Sequence, residues 1–151
     1  MDRLNQEQND SGKYTIAVEA APKAEDNARV NAILDAYNAR QMDASDYKPL
    51  TILLRDSENE IVGGLIGSMY WDWLYVETLA IEETARQSGN GGRLLAQAEQ
   101  EAVAYGCRFA CLDTFSFQAL PFYQKQGYEI FGTLDNCPGE QKRYYLRKAL
   151  T

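Results

Sequence analysis

Residues Leu79 to Leu95 read as an apolar strand that runs through a glycine-rich turn, Arg86-Gln87-Ser88-Gly89-Asn90-Gly91-Gly92, straight into a helix opening Arg93-Leu94-Leu95. Successive backbone N–H groups in such a turn, backed by the unpaired donors and positive dipole end of a helix, form an anion site. The glycines let the backbone approach a phosphate with no Cβ in the way. The spacing is not that of the dinucleotide fingerprint, because counting G-x-G-x-x-G from Gly89 puts Leu94 where the last glycine belongs. Nor is it a P-loop, since no Gly-Lys-Ser/Thr follows.

Composition narrows the chemistry. The chain has 151 residues with ordinary hydrophobic content and no histidine. The length suits one compact domain, expected over residues 13–151 behind a polar, flexible tail at 1–12. The missing imidazole removes Ser-His-Asp and Cys-His activation, HExxH zinc sites and histidine general bases, so no metal is expected. A formal charge of -7 with no dense Lys/Arg run argues against a nucleic-acid partner and makes a cationic substrate easier to accommodate. Three cysteines form no C-x-x-C pair, and Cys107 and Cys111, on one predicted strand, stand about 13 Å apart. They cannot be bridged, which points to the reducing cytoplasm. No apolar run reaches the ~18 residues of a membrane span, so neither anchor nor signal peptide is expected.

Periodicity places the elements. Tyr14, Ile16 and Val18 alternate as a first strand, and Val30, Ile33, Leu34 and Tyr37 follow at helical spacing after the candidate caps Asp26 and Asn27. Leu50–Arg55 and Ile61–Met69 flank a polar connection suited to a hairpin, with Gly63, Gly64 and Gly67 marking a close approach or a bulge. Trp73–Ile81 is the next strand, with Trp73, Tyr75, Glu77, Leu79 and Ile81 expected on one face, which makes Glu77 a carboxylate among apolar side chains. An amphipathic helix over about Gly92–Tyr105 ends at Gly106. Strand Cys107–Thr114, a short helix from about Gln118 or Ala119 to Gly127, and strands Tyr128–Gly132 and Arg143–Leu150 complete the order.

With these neighbours, Arg86-x-x-Gly89-x-Gly91 resembles the R/Q-x-x-G-x-G/A pyrophosphate loop of the GCN5-related N-acetyltransferases (GNAT). Ala119-Leu120-Pro121-Phe122-Tyr123-Gln124-Lys125-Gln126-Gly127-Tyr128 is similar to that family's later A-x-x-x-Y-x-x-x-G-F/Y element. The resemblance implies a three-layer α/β (α+β) fold: a mixed, mostly antiparallel sheet of about six or seven strands, flanked by helices, with strands four and five splayed. It implies acetyl-CoA as the acetyl donor, its pantetheine arm pairing with backbone at Leu79, Ala80 and Ile81. Arg86 and the turn Gln87, Ser88, Gly89, Asn90, Gly91, Gly92 and Arg93 would then hold the pyrophosphate. Tyr123 falls where the family protonates the departing CoA thiolate. Ser116 stands where many members carry an asparagine that contacts pantetheine.

Attack of a neutral amine on a thioester needs a base, and without histidine the carboxylates are the candidates. Glu77 is the first choice. The expected activity is transfer of an acetyl group to a primary, cationic amine of a small molecule or peptide. The alternative from another class is an acyl-CoA-binding regulatory module without turnover, and acetylation of aminoacyl-tRNA is disfavoured by the negative charge. Tyr70, Trp71, Trp73 and Tyr75, like Phe115 and Phe117, fit core plus pocket wall, with a homodimer surface the other option. The cysteines read as small apolar residues, with no partners for nucleophilic activation.

Overall fold

The computed structural model describes residues 13–42 and 46–151. These fall into two units divided near residue 44, each taken by itself. In the first unit, helix α1 spans Ala24–Asn38, with Glu25 and Asp26 in a first turn where the dipole favours them. It begins at cap Lys23, ahead of the expected caps, so Asp26 and Asn27 lie inside it. The expected strand at Tyr14–Val18 is not formed. Alternation supplies a strand's faces but not its hydrogen bonds, and residues 14–18 have no strand conformation. The expected tail at 1–12 lies outside the described residues.

The second unit is built on a six-stranded sheet. Its elements are β1 (Lys48–Arg55), β2 (Ile61–Tyr70), β3 (Trp73–Ile81), α2 (Asn90–Tyr105), β4 (Phe109–Phe115), α3 (Leu120–Lys125), β5 (Glu129–Leu134) and β6 (Arg143–Ala149). The spatial order is β1-β2-β3-β4-β6-β5, antiparallel throughout except for β3 beside β4. The core lies between the sheet and α2, where Leu95, Ala98 and Ala102 meet Leu65, Met69, Leu74, Ala110 and Leu146, all fully buried. Small alanines on that helix face let the helix axis come close to the strands. Gly106 ends α2 in the left-handed region at φ +108, its N–H and that of Cys107 both bonded to the Ala102 carbonyl. Nothing lies within 4 Å of an added Cβ there, so Gly106→Ala costs backbone strain alone. A loss of about 1 kcal/mol is expected, read as a lower urea midpoint at unchanged m-value.

A bulge in β3 alters the expected face of Glu77. Gly67 pairs with Val76 and Ile66 with Thr78, so Glu77 is the extra residue. Cross-strand partners share a face, and the odd-numbered β2 residues pair with Leu74 and Val76 before the bulge but with Leu79 and Ile81 after it. The even-numbered Leu74 and Val76 therefore share the core face with Leu79 and Ile81, and Trp73 and Tyr75 point the other way. Glycine is needed opposite the bulge because a Cβ on Gly67 would overlap the Tyr75 carbonyl. Among the described residues no helix is long and apolar enough to cross a membrane.

Candidate active site

β3 and β4 pair only through Trp73–Tyr75 against Phe109–Cys111. Beyond that point the two parallel strands part. From Val76 onward the β3 edge that faces β4 has no strand partner, and a cavity of about 1040 Å³ opens there. Its walls are Val76–Ile81 on one side and Leu112–Phe115 on the other, with Phe117, Gln118, Ala119, Phe122 and Tyr123 closing it from α3 and its approach. At one end stand Arg86, Gln87 and Gly89–Gly92. The parting thus brings the glycine-rich turn, Glu77 and Tyr123 to one space. Ser88, Arg93 and Ser116 are outside its lining.

The turn contains two left-handed residues, Gln87 at φ +68 and Gly89 at φ +73, and successive N–H groups in turns with such residues form anion-binding concavities. Gly89 caps α2, and the first helical bond returns from the Arg93 N–H to the Gly89 carbonyl. The amides of Asn90, Gly91 and Gly92 therefore stand ahead of the intrahelical ladder. No carboxylate occupies that first turn. Asn90 braces the turn, donating from Nδ2 to the Ala85 carbonyl at 3.0 Å and accepting from Arg93 Nη1 at 3.0 Å. Arg86 donates from Nε to the Ile81 carbonyl at 2.9 Å, tying the turn to the end of β3. Gly91 has a packing reason as well: a Cβ there would stand 3.2 Å from the Phe122 ring. An anionic pyrophosphate fits this set of free donors, close backbone and flanking arginines.

Tyr123 is 7% exposed, held edge-on between Phe122 and Tyr128 with ring centroids 5.0 and 6.1 Å away. Burial, with a smaller push from the charge of Asp113, raises its phenol above the ordinary tyrosine value. It keeps its proton at neutral pH. Its neighbour Tyr128 donates to Glu99 Oε1 at 3.0 Å, and Lys148 Nζ reaches the same carboxylate at 2.8 Å, which fastens α2 and β6 to the end of α3. Glu77 accepts a long hydrogen bond from the buried Ser68 hydroxyl, 3.4 Å. Ser116 is committed elsewhere: its hydroxyl donates to Gln141 Oε1 at 2.6 Å and accepts from the Lys142 N–H at 3.0 Å, tying the end of β4 to the start of β6.

Residues the sequence reading passed over also line the cavity. Asp113 accepts from Arg143 Nε at 2.8 Å, which raises the guanidinium further. Thr114, buried, accepts from the Ala119 N–H at 3.3 Å and so sets the approach to α3. Asp113 carried the same signal as Glu77, one acid in an otherwise apolar strand. Arg143 carried none, because its partner is distant in sequence. Burial and the Asp113 charge push the Cys111 thiol up to about 11, so it stays protonated.

Comparison with known proteins agrees with this geometry. Residues 14–128 match the model of the Acetyltransferase (GNAT) family. The chain is 36% identical over 125 residues to acetyltransferase Atu2258 of Agrobacterium fabrum, covering 83% of this chain and 91% of that protein. A crystal structure from Agrobacterium tumefaciens, assigned as an acetyltransferase, superposes with a TM-score of 0.82 at 32% identity over 90% of this chain and 99% of the other. Another, assigned as a streptothricin acetyltransferase from Bacillus anthracis str. Ames and solved with acetyl coenzyme A, gives 0.60 at 25% identity over 67% and 62%. With its sheet parted at β3 and β4 above a glycine-rich turn, the chain belongs to the GNAT family and is an acetyltransferase with acetyl-CoA as donor.

Proposed function

We propose that this acetyltransferase acts on a primary, cationic amine of a small molecule or peptide, with the donor's pyrophosphate held on the Gln87–Arg93 turn. The observation that carries this reading is the single cavity that joins free helix-start amides at one end to Glu77 and Tyr123 between the parted strands. The likeness to a streptothricin acetyltransferase supports a small-molecule acceptor. Acetyl-CoA supplies the activated acetyl group as a thioester. The backbone of Leu79–Ile81, without a β4 partner on that edge, is available to pair with an amide-bearing arm as another strand would. Arg86, already fixed on Ile81, adds positive charge beside the turn. Tyr123 keeps the proton that a departing thiolate must receive, and Glu77 takes the one an alkyl ammonium must lose before its nitrogen can attack.

A thiol-release screen of amines with acetyl-CoA tests the reading. Cationic amines are expected to give turnover. Tight acetyl-CoA binding with no thiol release for any amine would identify a binding module instead. Glu77→Gln is expected to lower kcat by about 10²-fold and to change its pH profile, because the substitution keeps shape and removes the proton acceptor. A kcat and pH profile like those of wild type would leave Glu77 only its hydrogen bond with Ser68.

A further inference from the structure

The reacting amine can be held by a carboxylate only while it is an ammonium, since the attraction falls away once the proton leaves. A carboxylate that is to hold the acceptor through the reaction must grip a different positive charge. Asp113 is placed for this. It lies on β4 beyond the last residue paired with β3, and it lines the same cavity as Glu77 and Tyr123. Its charge adds to the effect of burial in raising the Tyr123 phenol.

Arg143 occupies only one of the two carboxylate oxygens, Oδ2, and Oδ1 accepts no hydrogen bond among the described residues. The pair is not sealed away: the Arg143 and Asp113 side chains are 36% and 34% exposed. Arg143 is itself held over the rings of Phe115 and Tyr145, each with its centroid 5.3 Å away. These contacts steady the guanidinium, and through it the carboxylate, before any acceptor arrives. A preorganised carboxylate with one free oxygen at a cavity wall binds an ammonium or guanidinium through a charge-assisted hydrogen bond.

Resting on the N-acetyltransferase reading above, we infer that Asp113 anchors a second cationic group of the acceptor, which makes the acceptor class an amine that carries another positive charge. Asp113 is then a specificity residue, distinct from the groups that move protons. Its signature is a ratio, kcat/KM for a diamine over that for the monoamine of equal chain length.

The test uses diaminoalkanes of about three to six carbons against the matching n-alkylamines, with thiol release and calorimetric titration of the same amines as readouts. Wild type is expected to favour the best diamine by about tenfold or more, the worth of a hydrogen bond to a charged group. Asp113→Asn is expected to bring that ratio near one, chiefly through KM, and to weaken calorimetric diamine binding. Acetyl-CoA binding by the variant reports that its fold is intact. Equal use of diamines and monoamines by wild type, or a preference that survives Asp113→Asn, would overturn the assignment while leaving the N-acetyltransferase reading in place. No thiol release with any of the amines would overturn both.

Discussion

Gly91→Asp is expected to weaken acetyl-CoA binding by about 10²-fold or more, measured by calorimetry, while leaving the fold as stable as wild type or slightly more so. The two halves of that result have opposite electrostatic signs. Gly91 is the second helical residue of α2, after the cap Gly89 and Asn90. A carboxylate in the first turn complements the helix dipole by roughly 0.3 to 1 kcal/mol, and replacing glycine removes unfolded-state freedom. The same carboxylate stands where the pyrophosphate is expected and opposes its charge. Its Cβ also presses the tip of the Phe122 ring at 3.2 Å, a contact the ring relieves by a small shift. Gly91→Ala separates the causes: it carries the steric part without the charge and is expected to cost far less affinity. If Gly91→Asp binds acetyl-CoA as tightly as wild type, the phosphates lie elsewhere.

Tyr123→Phe is expected to lower kcat by about 10²-fold with little change in acetyl-CoA affinity, by steady-state kinetics in a regime where chemistry limits the rate. The ring packs between Phe122 and Tyr128, and phenylalanine keeps those contacts. Stability should therefore change by no more than about 1 kcal/mol. The raised phenol sets a sign for the pH profile. An acid works while it holds its proton, so a pKa above the ordinary value near ~10 extends the active range upward. No alkaline fall in kcat below about pH 10 is expected from this group. An unchanged kcat in Tyr123→Phe would leave Tyr123 with packing alone.

The candidate site was legible in the sequence wherever its hydrogen bonds are local. The Arg86–Gly92 turn, the helix after it and the Tyr123 element are contiguous strings whose hydrogen bonds close within a few residues, and they stand where periodicity put them. The surroundings of Ser116 could not be read from its position along the chain. Its hydroxyl is engaged by Gln141 and Lys142, residues brought beside it by the β4–β6 pairing.

Spacing along the chain was enough for the order and type of the elements in the second unit, the glycine-rich turn and the candidates Glu77 and Tyr123. These follow from spacing along the chain, from glycine where the backbone must come close, and from the missing histidine. The tertiary structure alone decided the rest. Tyr14–Val18 has strand alternation but forms no strand, and the bulge opposite Gly67 moves Leu79 and Ile81 onto the face of Leu74 and Val76. It also decided that β3 and β4 part after Tyr75, and that Arg143 meets Asp113 across two paired strands. Each of these depends on which backbone edge finds a partner and in what register. Register is a property of two segments at once, so no single stretch of sequence contains it.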